Sequence, residues 1–371
     1  MMGGKTRNIL SGTSSLNAMA SVMAVIIGLA AGLLVLLLSN PSRALAGFGA
    51  ILTSGFSDMR QLGQVLYFAT PIIMTGLSVG FVNRTGLFNI GASGQFTAGA
   101  YAAILVGVRG AGFLPVWLHC AAALVAGMLA GALWGCVPGI LKAYRNINEV
   151  IACIMMNYIG MFLTNFLITR TVYDSLRNQS MRVPRTANLP KAGFDAIFAG
   201  SSANSGIIIA IVTAVIAFII LEKTRFGYEL KACGLNRDAA KYAGINERRS
   251  IIWAMTLGGA MAGLGGALLY LAGSGKSLTV VDVLAPEGFN GIPVALLGLN
   301  HPIGIIFSGF LVAYLSEGGF NMQLYGFAPQ VIEIIIAVII YFSAFALLIR
   351  SFIQSRMSAG TAPDGVEKGN D

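Results

Sequence analysis

Charged residues are scarce in this sequence of 371 residues. They make up 11% of the chain, whereas soluble proteins usually carry about 25%. Hydrophobic residues make up 56% of the chain, and many of them lie in long uninterrupted runs. This composition excludes an ordinary soluble domain and indicates a polytopic membrane protein.

Residues that hold metals or form disulfides are also few. The chain has four cysteines, none at a CxxC spacing, and two histidines. Three of the cysteines lie inside apolar runs, where a thiol packs as a small apolar group. We therefore expect no disulfide framework, no zinc site and no other metal site.

One stretch contains part of a nucleotide-binding motif. Residues 271–279 read LAGSGKSLT and include the Gly-Lys-Ser that ends a G-x-x-x-x-G-K-[ST] phosphate loop. The first glycine of that motif would fall at Tyr270, and the segment follows a predicted helix instead of the required strand. We interpret it as a Gly-Ser turn on the outer side of the membrane. The chain itself is predicted not to hydrolyse ATP.

Ten apolar runs approach the roughly 20 residues that a membrane-spanning helix needs. They cover residues 18–39, 63–82, 86–108, 113–141, 149–170, 206–222, 251–272, 284–299, 302–319 and 329–349. Segment 284–299 is short and contains two prolines, so a broken or re-entrant helix is the alternative there. The apolar stretch 44–56 is too short to cross, and we expect it to be interfacial or re-entrant. The predicted fold is an all-α polytopic membrane protein with about ten transmembrane helices.

Basic residues predict the orientation of these spans, since Lys and Arg concentrate in cytoplasmic loops. Ten spans place the following basic groups on one side: Lys5 and Arg7, Arg84, Lys142 and Arg145, loop 223–250, and Arg350 and Arg356. We expect cytoplasmic tails at 1–17 and 351–371 around a permease domain at 18–350, in the cytoplasmic (inner) membrane. Loop 171–204 falls outside although it is also basic. Because the basic residues are scattered among short loops, nucleic-acid binding is not expected.

Glycine is abundant, and its spacing is regular. Gly127, Gly131, Gly135 and Gly139 share one helix face, as do Gly259 and Gly263. Such faces let helices approach closely in lipid. Phe88-Asn89 and Phe289-Asn290, each followed by glycine, open two apolar runs about 200 residues apart. Transporters are often built from two related halves, so the sequence leaves open two loosely related halves or a chance match.

Polar side chains inside spans are costly and require a reason. The amide and hydroxyl groups concerned, with the aromatic side chains beside them, are Phe88, Asn89, Ser93, Gln95, Asn157, Tyr158, Phe289 and Asn290. Amides donate and accept hydrogen bonds, as a hydroxyl-rich neutral solute requires, and aromatic rings can stack on a base. We predict that these residues form the substrate pathway. The alternative for each amide is a hydrogen bond that holds helices together.

Loop 223–250 contains a short helical turn that ends at a glycine. Its core, residues 238–244, reads DAAKYAG and is surrounded by basic residues. Its small face could fit the groove of a partner protein. The alternative is an ordinary basic loop that follows the distribution of positive charge.

The core of this loop resembles the E-A-A-x-x-x-G coupling motif of ABC transporter permeases, with Asp238 at the acidic position. The usual I-x-L-P that follows is not evident. Three segments, GLFNIGASGQFTAGAYAA (86–103), NEVIACIMMNYIG (148–160) and RFGYELKACGLNRDAAKYAGI (225–245), resemble permeases of the sugar/nucleoside importer family. These are relatives of the ribose and branched-chain amino-acid permeases. The resemblance covers roughly residues 60–350.

The resemblance implies the permease subunit of an ATP-driven importer for nucleosides or a related hydroxyl-rich solute. Cytoplasmic ATPase subunits would bind ATP, so this chain needs no cofactor, and they would dock on Asn236, Arg237, Asp238, Ala239, Ala240 and Gly244. The 142–149 loop would be a second cytoplasmic contact. An extracytoplasmic binding protein would face loop 171–204, and a second permease chain, the same or different, would complete the pathway. The alternative is an ion-gradient-driven secondary transporter with Glu333 as its carboxylate.

Overall fold

The computed structural model describes residues 22–23 and 25–344. Helices dominate this part of the chain, and the one named sheet within it pairs β1 (Tyr173–Asp174) with β2 (Gln179–Ser180) in antiparallel register. The predicted tails, 1–17 and 351–371, and the end of the last predicted span lie outside the described residues. By their contacts the described residues divide into two compact units, residues 46–327 and the described residues before 46 and after 327.

The first helices in chain order are α1 (Val25–Ser39), α2 (Ala44–Ser57), α3 (Met59–Asn83), α4 (Ala92–Arg109), α5 (Val116–Arg145), α6 (Glu149–Thr171) and α7 (Phe194–Ile197). They are followed by α8 (Gly206–Lys223), α9 (Arg225–Leu235), α10 (Arg237–Tyr242), α11 (Glu247–Tyr270), α12 (Pro286–Leu297), α13 (Pro302–Met322) and α14 (Pro329–Ala344). Short 3₁₀ turns lie at Arg185–Ala187 and Gln323–Tyr325.

Six of the described helices are long and apolar enough to cross a membrane: α3, α5, α6, α8, α11 and α13. The chain is therefore an all-α, multi-pass membrane protein. The other four predicted spans fall on α1, α4, α12 and α14, which are shorter or less apolar. The stretch 44–56, which we expected to be interfacial or re-entrant, forms α2.

The predicted span 86–108 starts six residues before the helix. Residues 86–91 are not helical, Gly86 has a φ of +69°, and α4 begins at Ala92. Leu87, Phe88 and Ile90 made this segment look like part of the helix. Apolar character alone does not separate a buried extended segment from a helix.

Helices α3 and α11 form the centre of the larger unit, and α4, α5, α12 and α13 pack around them. The predicted glycine faces are confirmed as packing surfaces. A Cβ atom on Gly131 of α5 would collide with the carbonyl oxygen of Gly259 and lie 2.6 Å from the Cα of Gly263, both in α11. The two helices therefore meet through their backbones, which only glycine permits.

We predict that Gly131→Ala lowers the free energy of unfolding by about 1–3 kcal/mol, because α5 and α11 must separate to admit the methyl group. Thermal unfolding of the purified protein in detergent measures the effect. Gly49→Ala is the matched control, since a Cβ atom there has no neighbour within 4 Å. Equal stability of the two variants would contradict the backbone contact.

Candidate substrate pathway and docking surfaces

The first turns of α4 and α12 meet inside the larger unit. A Cβ atom on Gly288 would collide with the backbone of Ser93, and the Ser93 Oγ donates a hydrogen bond to the carbonyl oxygen of Ala285 (2.9 Å). Helix α12 has 12 residues and is thus about 18 Å long, which is shorter than the hydrocarbon core of about 30 Å. Helices α4 and α12 therefore begin side by side, each after a non-helical segment.

Contacts along α3 place this point near the middle of the membrane helices. Gly291 of α12 lies against Thr75, Val294 lies against Gly76, and Asn300 lies against Gly80 near the end of α3. Helix α12 therefore runs along the second half of α3, and its first turn lies beside the midpoint of that helix. Helices that start near the bilayer centre are a common way to build transport sites.

The segment 86–91 that leads into α4 is held by buried amides. The Asn89 Nδ2 donates to the Ser78 Oγ (3.0 Å) and to the Gln95 Oε1 (2.9 Å), while the Gln95 Nε2 donates back to the Asn89 Oδ1 (3.1 Å). Asn157 of α6 accepts from the backbone N–H of Gly94 (2.8 Å) and donates to the carbonyl oxygen of Ile90 (3.0 Å). These side chains satisfy backbone and amide groups that have no water to bind.

Four of the eight predicted pathway residues therefore have structural partners in this conformation. Asn89, Ser93, Gln95 and Asn157 are at most 2% exposed, so a solute does not reach them here. Asn89 and Asn157 make the hydrogen bonds between segments that the sequence left open as the alternative, while Gln95 binds Asn89. Their contact with a substrate stays a prediction.

The other four predicted residues lie nearer the surface. Phe88 and Phe289 are half-buried. Tyr158 is 47% exposed on an apolar face of α6 that also carries Phe162 and Phe166. Asn290 is exposed on α12 and has no side-chain hydrogen bond among the described residues. An exposed amide on a membrane helix would be costly against lipid.

The predicted turn in loop 223–250 is confirmed as helix α10, Arg237–Tyr242. The Asn236 side chain caps its start by accepting from the backbone N–H of Ala239 (3.0 Å). Gly244 follows its end with a φ of +81°, a conformation that glycine adopts without strain. The N–H of Gly244 donates to the carbonyl oxygen of Lys241 (3.0 Å), which ends the helix sharply.

Helices α9 and α10 present unusually exposed apolar side chains. Leu235 is 89% exposed, Tyr242 is 94% exposed and Tyr228 is 67% exposed. Between the two helices lies a cleft of about 410 Å³, lined by Ala232, Ala239 and other residues of both helices. Asp238 is also exposed. A surface of this composition is typical of a protein interaction site.

Helix α9 also contacts the end of α3 and the segment before α4. A Cβ atom on Gly234 would lie 2.5 Å from the carbonyl oxygen of Arg84 and 2.9 Å from the backbone nitrogen of Gly86. The Arg84 Nε donates to the carbonyl oxygen of Asn300 (3.0 Å), just beyond α12. Burial and the Arg84 charge lower the pKa of His301 from its ordinary value. No sequence pattern indicated these contacts of Arg84 with Gly234 and Asn300.

The 142–149 loop, predicted as a second cytoplasmic contact, is closed by an ion pair. The Lys142 Nζ lies 2.9 Å from the Glu149 Oε2. Arg248 at the start of α11 lies over the ring of Tyr144, 5.5 Å from its centre. This region is thus tied to the end of loop 223–250.

The stretch 271–279 packs together with loop 171–204. Gly273 and Gly275 have φ angles of +73° and +75°, as expected for the predicted Gly-Ser turn. The chain then pairs with β2, where the Ser180 N–H donates to the carbonyl oxygen of Leu278 (2.8 Å). The geometry is therefore that of a turn and a strand. The sequence did not indicate the pairing, since the partners lie about 100 residues apart.

Among the described residues, no group of three or more His, Cys, Asp or Glu side chains could hold a metal ion. The arrangement instead provides a cluster of buried amides, an exposed apolar surface on α9 and α10, and a small sheet.

The family model for branched-chain amino acid transport systems, permease component, matches residues 61–344. The chain belongs to this family. The guanosine ABC transporter permease protein NupP of Bacillus subtilis (strain 168) is 39% identical, over 91% of this chain and 95% of its own length. The nucleoside ABC transporter permease protein NupB of Lactococcus lactis subsp. cremoris (strain MG1363) is 33% identical over 99% of both chains. The glucose ABC transporter permease protein TsgB13 of Haloferax volcanii is 32% identical over 94% of this chain and 91% of its own.

This permease is accordingly the membrane subunit of an ABC importer, as the resemblance of the coupling motif implied. ATP hydrolysis belongs to a partner ATPase, and a self-sufficient ion-gradient carrier is not supported. Glu333, which the carrier would need, is exposed near the start of α14.

We predict different effects for the buried and the exposed amide. Asn89→Ala should lower the free energy of unfolding by about 1–3 kcal/mol because it leaves Gln95 and Ser78 without partners. Asn290→Ala should change it by less than about 0.5 kcal/mol because the side chain is exposed. Thermal unfolding of the two purified variants measures both effects. A larger loss of stability for Asn290→Ala than for Asn89→Ala would contradict the structural role of Asn89.

Proposed function

We propose that this permease imports nucleosides along the exposed face of α12, between itself and a second permease chain. The observation that carries the proposal is Asn290, an amide exposed near mid-membrane without a partner among the described residues. Facing lipid, it would cost free energy, whereas facing a pathway it can bind a polar solute. The half-buried ring of Phe289 precedes it and can stack on a base.

The substrate class follows from chemistry shared by the relatives. NupP and NupB are named for guanosine and nucleosides, and TsgB13 is named for glucose. All of these solutes are neutral and rich in hydroxyl groups, which an amide can bind by donating and accepting. The higher identity to the nucleoside permeases favours nucleosides.

We further propose that ATPase subunits dock on the surface formed by α9 and α10. Leu235, Tyr242 and Tyr228 supply the apolar area that a partner would bury, and the cleft beside them would receive its side chains. The coupling residues Asn236, Arg237, Asp238, Ala239, Ala240 and Gly244 build the helix that presents this surface. ATP is bound by the partner in this proposal.

The same proposal places an extracytoplasmic binding protein on the opposite side, at loop 171–204. The loop carries an exposed leucine, Leu176, and pairs through β2 with residues 278–280. Its basic side chains, Arg177, Arg182, Arg185 and Lys191, offer charge to an acidic partner surface.

We infer ten membrane helices in the inner membrane, in a permease domain at 18–350 with cytoplasmic tails at 1–17 and 351–371. The four added to the six long helices are α1, α4, α12 and α14. Contacts between segments support this topology, since Gly234 of loop 223–250 touches the Arg84 turn, which ten spans place on the same side. The non-helical approaches to α4 and α12 favour two loosely related halves.

We predict that Leu235→Asp weakens ATPase binding at least tenfold while leaving the thermal stability of the permease unchanged, because the side chain is exposed in the free permease. Co-purification and titration of the ATPase subunit measure the effect. The matched control is Leu176→Asp on loop 171–204, which is 95% exposed and should not affect ATPase binding. Equal weakening by both variants would rule out this surface.

Transport itself is tested by reconstitution. Liposomes that contain the permease pair, the ATPase and the binding protein should take up labelled guanosine with ATP, and Asn290→Ala should reduce the rate about tenfold by removing a hydrogen bond in the pathway. Uptake that persists without the ATPase, or that stops with Glu333→Gln in an ion gradient, would overturn the proposal. Uptake of glucose in preference to guanosine would overturn the choice of substrate.

A further inference from the structure

The lysine of the Gly-Ser turn forms an ion pair with the first turn of α12. The Lys276 Nζ lies 2.9 Å from the Glu287 Oε1. It also lies over the ring of Tyr270, 5.8 Å from its centre, at the end of α11. The neighbouring Ser274 Oγ is 3.1 Å from the hydroxyl of Tyr67 in α3. One short turn thus joins α3, α11 and α12.

The position of Glu287 makes this ion pair relevant to the pathway. Glu287 precedes Gly288, which touches Ser93 where α4 and α12 begin, and lies three residues before Asn290. The carboxylate lies at a helix N-terminus, which favours negative charge. The Lys276 ammonium group therefore lies directly beside the start of α12.

The turn at residues 273–277 also contains a hydroxyl group that would gain a hydrogen bond to water if the turn moved outward. The Ser277 Oγ is buried and has no hydrogen-bond partner among the described residues. A buried hydroxyl without a partner is unfavourable, and water would satisfy it if the turn moved outward. The ion pair, whose side chains are 39% and 21% exposed, opposes this. The buried Ser277 hydroxyl thus favours an open turn, and the ion pair favours a closed one. An element with two such states can act as a switch.

The turn is mechanically connected to the outer loop. Beyond Ser277 the chain pairs with β2 on both sides, through Leu278 with Ser180 and through Val280 with Asn178 (3.0 Å). A partner that displaces loop 171–204 would therefore displace residues 276–280 as well.

We propose that the Lys276–Glu287 ion pair is a latch that closes the outer end of the pathway, and that a protein bound to loop 171–204 opens it. The proposal rests on the pathway along α12 proposed above. Breaking the pair should raise the ratio of outward-open to closed permease. The size of the increase is set by the strength of a partly exposed ion pair.

The test uses a cysteine placed at the start of α12, Ala285→Cys, in the complete complex without binding protein. A membrane-impermeant thiol reagent applied from outside should label this cysteine about three- to tenfold faster in Lys276→Ala and in Glu287→Gln. The parent permease, labelled in parallel, corrects for its four native cysteines. Binding-protein-independent ATP hydrolysis, measured in the same samples, should rise with the labelling rate.

Two further variants control for folding and for general charge effects. Exchanging the two charges, Lys276→Glu with Glu287→Lys, should return labelling toward the wild-type rate if the pair itself is the latch. Lys191→Ala breaks another pair on the outer loop, Lys191–Asp195 at 2.6 Å, and should not change labelling. Unchanged labelling in both single variants, or an equal rise with Lys191→Ala, would overturn the latch.

The two proposals fail in different ways. If wild-type complexes import no nucleoside but the single variants still label faster, the latch stands and the assigned substrate is wrong. If import is normal and the single variants label at the wild-type rate, the pathway stands and the latch is wrong.

Discussion

The structure depends on satisfying backbone that is not helical at membrane depth. In lipid, an unpaired N–H or C=O group costs several kcal/mol, so irregular backbone survives only where protein groups bind it. Asn157 performs this function for the carbonyl group of Ile90 and the N–H group of Gly94. Asn89 and Gln95 bind each other, and Asn89 also ties segment 86–91 to Ser78 of α3. With that segment fixed, α4 can begin inside the protein, and its first turn can meet α12. The position of the interrupted helices thus follows from three buried amides.

Glycine permits the close helix contacts around the start of α12. Between α5 and α11, successive glycines bring two long helices together along several turns. At α12, Gly288 lies against Ser93 and Gly291 lies against Thr75, while the buried Val294 side chain packs against Gly76. Helix α12 is therefore held against both α3 and α4 by close contacts at its start and along its length.

Sequence reasoning predicted those features that depend on composition and local pattern. The all-α membrane class followed from scarce charge, and α10 followed from a small-residue turn closed by Gly244. The start of α4 was misplaced because Leu87 and Ile90 are apolar in either conformation. The partners of Asn89, the Gly234–Gly86 contact and the pairing of residue 278 with residue 180 depend on the folded chain. Nothing local in the sequence encodes such long-range contacts, so the role of each buried amide was left open.

The two ends of α12 are held by different segments, which in the proposed mechanism would connect the ATPase surface to the Lys276–Glu287 latch. At its end, Asn300 is bound by Arg84, whose carbonyl group contacts Gly234 of the proposed ATPase surface. At its start, Glu287 is bound by Lys276 of the outer turn. Only 12 residues separate these ends, about 18 Å of helix, and a helix transmits displacement along its axis. If both proposals hold, a change at the docking surface would alter the Lys276–Glu287 ion pair through α12 and the turn after it, and a partner that breaks the pair would act back by the same route.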